Sequence, residues 1–457
     1  MTGAVCENEV RPNSKGISGL QWGDEGKGKV VDAEAENASG QEEIDLSVNG
    51  GSNSGHTVKI GENKIVFHQV SSGIGNEKAT VVLCKDKVLH PEELNYEIDE
   101  AGNFFDGKIA KIKIDQNALL CLDTHRAMEQ ARKDRKDGYN GSTGRGISFA
   151  YGDELFRDYV IRLKNIINFD EIKIRENYKL NKDQLKGMGR DLETMEVPFM
   201  DFKEKVKVGN EDEFVSKLQK QGEKLKPYVE DIYDYLKTNW ENPNVKMLFE
   251  MSQAVGLDRR WGVYPDVTAS NTCFDGVESA TYGIVNYNQI EYRIGVMKAT
   301  YASSVGSRRL PTMITDTAVA HMIREYGDEY GATTHRERDI VYLDLVALGF
   351  YARVGKVNRL AITHMDSVFG DMPIKICTGY TIDGKKVDYQ PFQDYLSRVK
   401  PVYIEVSNWS REEVKKAKTF DEMPRNAKDF VRRIEDATGV KAMYLTNGPK
   451  RDQIIKI

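Results

Sequence analysis

Short apolar runs, each ending in a polar turn, recur along this chain and leave few folds open to it. "KATVVLC" (Lys78–Cys84), "VKMLFE" (Val245–Glu250), "NRLAIT" (Asn358–Thr363) and "KAMYLT" (Lys441–Thr446) read as strands buried on both faces. Segments with helical spacing lie between them. That alternation predicts an α/β protein with a large, mostly parallel central β-sheet, flanking helices and helical insertions. In such sheets function gathers beyond the carboxyl ends of the strands. Here those ends carry Ser252-Gln253, His364-Met365-Asp366 and Asn447-Gly448. Between Glu211 and Asn239 the residues Phe214, Leu218, Leu225, Val229, Ile232 and Leu236 keep helical spacing. Gly222 and Pro227 are expected to break that segment into two helices.

Composition narrows the class. A formal charge of −6 argues against a broad nucleic-acid footprint, which needs a clustered basic excess. The five cysteines are scattered, odd in number and without a C-x-x-C pair, as in a reduced, cytoplasmic protein lacking a disulfide framework or a zinc site. No apolar run approaches the roughly 18–20 residues of a membrane span. The first residues, "MTGAVCENEVRPNSKG", lack the apolar core of a signal peptide. Residues 1–15 are expected to form a loose tail.

The stretch "GISGLQWGDEGKGKVVD" (Gly16–Asp32) carries the first chemistry. Gly23-x-x-x-x-Gly28-Lys29 has the spacing of a phosphate-binding loop, but Val30 stands where that loop needs Ser or Thr for Mg²⁺. Asp24, inside the loop, is a hard-oxygen replacement. The backbone N–H groups of Gly23 to Lys29 can still cradle phosphates at a helix N-terminus. A second turn rich in glycine, "NGGSNSGHT" (Asn49–Thr57), adds His56 as an acid or hydrogen-bond donor. His68, His90, His125 and His321 are read as structural.

These two tracts in this order resemble adenylosuccinate synthetases. The resemblance continues through "GSTGRGISFAYGD" (Gly141–Asp153), "YPDVTASNT" (Tyr264–Thr272), "YGATTHRERD" (Tyr330–Asp339), "THMD" (Thr363–Asp366) and "TNGP" (Thr446–Pro449). It implies a single catalytic domain over residues 16–457, with a helical insertion around 170–240. It also implies a cytoplasmic ligase of purine biosynthesis that joins IMP and L-aspartate with GTP and Mg²⁺. Asp24 is then the base that removes the N1 proton of IMP and a metal ligand, with the Gly55 carbonyl as a second ligand. His56 is the acid, and Lys27 adds positive charge beside the phosphates.

The nucleoside triphosphate would meet Gly23, Glu25, Gly26, Gly28, Lys29 and Thr57, with Arg338, His364, Asp366, Thr446, Asn447 and Gly448. Asp366 would read guanine. Glu25 receives no chemical role and is expected to be solvated or capping. IMP would meet Asn53, Ser54, Thr143, Gln253, Thr268 and Arg336, with Arg157 reaching across a homodimer to the partner's IMP phosphate. The L-aspartate loop would be Ala332, Thr333, Thr334, Arg336 and Arg338, joined by Arg145, because guanidinium forks suit carboxylates.

The chain departs from the family pattern at several places. Ser52 replaces a histidine, Met251–Gln253 reads "MSQ" for "GAQ", and Ser303–Gly306 reads "SSVG" for "TRVG". His335 and Glu337 interrupt the arginine-rich loop, and His364 replaces the lysine before Asp366. These changes bear on the second substrate and on GTP against ATP. They keep open a relative of the phage type, which condenses dGMP with aspartate; Asp24 counts against it. A nucleotide-binding regulator without catalysis is opposed by the surviving base and acid.

Overall fold

The computed structural model describes residues 9–36, 42–60, 63–134, 142–157, 159–200, 204–304, 306, 308–331, 337–370, 372–450 and 452–457. Ten strands form the expected large, mostly parallel sheet. The chain divides into two compact units: Met1–Asn13, Ala38–Ser252 and Gly276–Gln289 in one, and Ser14–Asn37, Gln253–Asp275 and Ile290–Ile457 in the other. Neither unit is continuous in sequence, so no linker marks a boundary.

In the first unit the strand order is Val229–Glu230, Lys111–Asp115, Ala79–Leu83, Glu43–Ser47, Lys246–Ala254. Every neighbouring pair is parallel. Ala79–Leu83 is buried at all five positions, which explains its apolar, non-alternating character; Glu43–Ser47 is buried throughout as well, although Glu43, Asp45 and Ser47 alternate with Ile44 and Leu46. Val81, Leu83, Ile112 and Ile114 pack with Leu94 and Ile98 from the helix Pro91–Phe104. Each such side chain contributes about 1.5–3 kcal/mol by leaving water. In the second unit the strand Arg11–Gly19 (from Ser14 on), Ile290–Lys298, Arg359–Thr363 and Lys441–Thr446 are successive neighbours, and the edge strand Ile454–Lys456 runs antiparallel.

Three local readings change. The first strand begins at Arg11, inside the segment expected to be a tail. The Arg11 guanidinium draws it in, donating to the carbonyls of Trp240 (2.8 Å), Asn242 (2.8 Å) and Val245 (2.7 Å) and lying 4.9 Å from the Trp240 ring centroid. Gly222 does not break the helix, which runs unbroken over Glu211–Leu225. Its glycine serves a close approach instead, since a Cβ there would lie 2.4 Å from the Ile166 carbonyl oxygen. Pro227 sits in a 3₁₀ turn, Lys226–Tyr228, and Val229 passes into a short strand before the next helix, Tyr233–Glu241. The region 170–240 also holds the helix Glu171–Gly187 and an antiparallel hairpin, Glu196–Phe199 with Glu204–Lys207.

Gly222→Ala is expected to destabilise the protein by about 1–3 kcal/mol, because backbone rather than a flexible side-chain tip must yield. A urea unfolding midpoint equal to that of the parent would contradict this packing.

Candidate functional site

The loop after strand Arg11–Gly19 owes its shape to Glu25. This side chain is fully buried, and its Oε1 accepts the backbone N–H groups of Gln21 (3.1 Å) and Gly23 (2.9 Å). Oε2 pairs with Lys27 at 3.2 Å, and the Glu25 carbonyl accepts from Thr363 Oγ1 at 2.7 Å. Glu25 is therefore an internal cap, and the solvated alternative falls away. The chain turns through positive φ at Gly23, Asp24 and Gly26 (100°, 58° and 86°) before the helix Lys27–Glu36 begins. A non-glycine residue in that region is uncommon, and Asp24 holds it with its carboxylate 36 % exposed. Lys29 reaches the carbonyls of Gly448 and Gln453 (2.9 Å for the latter). Burial lowers the Lys29 ammonium to about 8, against the pull of Asp366 and Asp452.

Asp24 faces an arginine. Arg338 Nη2 lies 2.9 Å from Asp24 Oδ2, and its Nη1 lies 2.9 Å from Glu329 Oε2. Glu329 is fully buried, and its Oε1 also accepts from Lys298 Nζ and from the Tyr301 hydroxyl at 2.7 Å. Burial alone would raise the Glu329 carboxyl. The charges of Lys298 and Arg338 outweigh it and hold the group at about 2. Lys298 also donates to Ser303, a residue of the altered "SSVG" tract, at 2.6 Å. Glu337 pairs with Arg324 at 3.3 Å.

The remaining strand ends of this unit add polar groups. Gln253, at φ 67°, accepts from Ser270 Oγ at 2.7 Å, and Ser270 lies 3.3 Å from Thr268 Oγ1. The His364 backbone N–H donates to Thr446 Oγ1 (3.1 Å), and its Nδ1 lies 2.9 Å from Thr363 Oγ1. Burial first, then the Lys298 charge, lowers His364 to about 4, so its ring is neutral at physiological pH. Asp366 is buried, with Oδ2 accepting from the Tyr326 hydroxyl at 2.8 Å. Asn447 Nδ2 donates to the carbonyls of Val414 (2.8 Å) and Ala417 (2.9 Å).

In the first unit the loop Asn49–Gly55 is tied from below. Asn49 Oδ1 accepts from Ser252 N at 2.9 Å, and Ser252 Oγ donates to the Asn49 carbonyl at 2.9 Å. Ser54 Oγ donates to the Gly51 (2.9 Å) and His68 (3.2 Å) carbonyls, while His68 Nδ1 lies 2.7 Å from the Ser54 carbonyl. Buried Glu97 accepts the N–H groups of His68, Gln69 and Val70 at 2.9–3.1 Å. His68 is thus structural, as read. Arg145 is also buried: its Nη1 lies 2.7 Å from Glu93 Oε1. Glu93 binds Arg126 through both oxygens (2.8 and 2.6 Å), and Arg126 Nη2 reaches Ser52 Oγ at 3.3 Å. Burial would raise Glu93, yet the Arg126 charge and its neighbours hold it at about 2. Thr143 and Arg157 are exposed, and Arg157 caps the helix Ile147–Phe156 at φ 71°.

Of the expected residues, the second unit brings together the glycine loop, Arg338 and the strand ends at His364–Asp366 and Thr446–Gly448. His56 and Thr57 open the strand His56–Ile60, and their side chains lie outside the described residues. Ala332, Thr333, Thr334 and Arg336 fall outside them altogether. Glu93, Glu97, Ser270, Lys298, Tyr326 and Glu329 escaped the sequence reading. Nothing in local pattern separates a buried ion-paired carboxylate from a solvated one; only Glu329, two residues before the "GATT" run, had a positional hint.

Fold and site together define an α/β ligase driven by a nucleoside triphosphate. The model of the adenylosuccinate synthetase family matches residues 16–455, and the chain belongs to that family, whose members join IMP and L-aspartate with GTP. It is 35% identical to the adenylosuccinate synthetase of Myxococcus xanthus over 450 residues, covering 96% of this chain and 97% of that one. Identity to the Clostridium kluyveri enzyme is 36% over 451 residues, covering 96% and 98%. Among solved structures, the fully ligated adenylosuccinate synthetase of Plasmodium falciparum superposes with a TM-score of 0.83 at 28% identity, over 97% of this chain and all of that one. The succinoaminodeoxyadenylate synthetase of cyanophage S-2L, bound to dGMP and dATP, shares the fold alone. Its TM-score is 0.58 at 14% identity, covering 98% of this chain and 96% of that one.

Glu25→Ala strands the buried Gln21 and part-buried Gly23 N–H donors and the Lys27 charge, a buried unpaired group costing about 1–3 kcal/mol. The variant is expected to lose stability and to raise the KM for GTP at least tenfold, with Glu25→Gln recovering part of both. An unchanged GTP KM in Glu25→Ala would show that the loop holds its shape without this cap.

Proposed function

We propose that this protein ligates IMP and L-aspartate through 6-phosphoryl-IMP, with GTP as phosphoryl donor and Asp24 as the base. The observation that carries the reading is the Asp24 carboxylate, part-exposed and at positive φ in a loop that opens a helix N-terminus. Asp24 takes the N1 proton of IMP, and the electron pair passes to O6. O6 attacks the γ-phosphorus of GTP, and GDP leaves. The aspartate amine then adds at C6, and phosphate departs with the C6–O6 bonding pair. His56 serves as the acid that offsets charge developing during the transfer, a role typically worth about 10²–10⁴-fold. Lys27 and Lys29 add charge to the phosphate cradle.

Mg²⁺ fits the oxygen donors present. Asp24 Oδ1 has no hydrogen-bond partner among the described residues, and Mg²⁺ is commonly held by one or two carboxylates plus substrate phosphates. Asp24 and the Gly55 carbonyl would hold it, where it would screen the triphosphate charge. Arg336 and Arg338 recognise L-aspartate with the Ala332–Thr334 loop; Arg145 joins them only where an aspartate carboxylate outcompetes Glu93. Asn53, Ser54, Thr143, Gln253 and Thr268 contact IMP. A homodimer is supported by Leu155 and Phe156, 72% and 75% exposed beside Arg157, an apolar pair suited to cover by a partner. A cytoplasmic setting agrees with the four described cysteines, all buried and unpaired. No helix among the described residues is long and apolar enough to cross a membrane.

Incubating the protein with IMP or dGMP, L-aspartate and GTP, and following phosphate release, is expected to give turnover with IMP. Asp24→Asn should abolish it with the fold intact, as read by circular dichroism. Preferential use of dGMP, or an active Asp24→Asn, would overturn the reading. Arg157→Leu should weaken IMP binding, and mixing it with Asp24→Asn should restore some activity through hybrid dimers. A strictly monomeric protein at assay concentration would end the shared-site idea.

A further inference from the structure

The helix Thr317–Gly327 carries Tyr326, whose hydroxyl donates to Asp366 Oδ2 over 2.8 Å. The ring is clamped in place. The Arg411 guanidinium lies 3.9 Å from its centroid, and Phe369 meets it edge-on at 5.6 Å. Arg411 is itself anchored on the Val368 carbonyl. Burial, then the bond to Asp366, pushes the phenol pKa up, so the hydroxyl is a donor at any working pH. Asp366 is 6% exposed, and its second oxygen, Oδ1, has no hydrogen-bond partner among the described residues.

Guanine presents N1–H and the 2-amino group side by side, and a carboxylate accepts the pair best with one oxygen on each. Hypoxanthine keeps N1–H and lacks the amino group. Adenine has an acceptor at N1, which a carboxylate oxygen repels. We propose that Tyr326 is a specificity-determining residue of the nucleoside-triphosphate site: by donating to Oδ2 it takes one of that oxygen's two acceptor sites and weakens what Oδ2 offers the 2-amino group, while Oδ1 is left to read N1–H. The site then accepts ITP about as well as GTP and still rejects ATP. This rests on the reading of Asp366 as the base-recognising carboxylate. The neighbouring His364, neutral where the family pattern has a lysine, supplies no charge that would displace the phenol.

The test compares kcat/KM for GTP, ITP and ATP in the parent protein, Tyr326→Phe and Asp366→Ala. Tyr326→Phe keeps the ring against Arg411 and removes only the hydroxyl. The parent should use GTP and ITP within about fivefold of each other, and Tyr326→Phe should raise the GTP-to-ITP ratio at least about fivefold, as a freed carboxylate oxygen gains a charged hydrogen bond. A parent ratio above about fivefold, or a Tyr326→Phe ratio that stays level or falls, overturns the proposal; a fall would mean that the phenol oxygen itself accepts from the 2-amino group. Asp366→Ala separates the two levels. If it erases the preference for GTP over ATP, the base-reading role stands whatever Tyr326 does; if it leaves that preference intact, that role fails and the proposal with it.

Discussion

A glycine-rich loop has no intrinsic reason to hold one shape, and here a single buried carboxylate supplies it. Glu25 turns back beneath its own loop to collect the N–H groups of Gln21 and Gly23, and it holds Lys27 at the start of the following helix. With those donors satisfied internally, the backbone is free to pass through positive φ at Asp24 and to present that side chain outward. The two acids of the loop thus do opposite work. One is buried and shapes the loop, and the other is exposed on it, where the proposed mechanism needs it.

The same division recurs around Arg338. Its guanidinium spans an exposed carboxylate, Asp24, and a buried one, Glu329. Glu329 in turn gathers Lys298 and Tyr301, so the arginine is aimed by a network with opposite charges on both sides. Breaking one partner of such a buried set leaves an uncompensated charge, which costs far more than an exposed pair is worth. The departures at Ser303 and Glu337 do not empty this arrangement: Ser303 accepts from Lys298, and Glu337 is paired with Arg324.

In the first unit the loop Asn49–Gly55 depends on buried carboxylates. Glu97 fixes three successive N–H groups at His68–Val70, and His68 passes that order on to Ser54. Glu93 holds Arg126 and Arg145 together, and Arg126 extends to Ser52, the position that departs from the family pattern. A histidine replaced by serine here leaves a small hydroxyl in the turn that Arg126, from the helix Asp123–Asp134, reaches.

Much of the fold was readable from periodicity. "KATVVLC", "VKMLFE", "NRLAIT" and "KAMYLT" all became strands of the central sheet, because runs that short and apolar, bounded by polar turns, suit strands buried on both faces. Motif order along the chain was enough to recognise the family, since spacing within "GDEGKGK" and "NGGSNSGHT" is a property of neighbouring residues. Gly222 and Arg11 were misread for the opposite reason. The glycine answers to the Ile166 carbonyl of another helix, and the arginine to carbonyls more than two hundred residues away. Which carboxylates are buried, which arginine faces Asp24, and that Tyr326 donates to Asp366 are likewise decided by partners distant in sequence. The sequence by itself determined the strands, the loops at their ends and the family; only the tertiary structure decided how each charge is paired, because desolvation and ion pairing depend on distance in space.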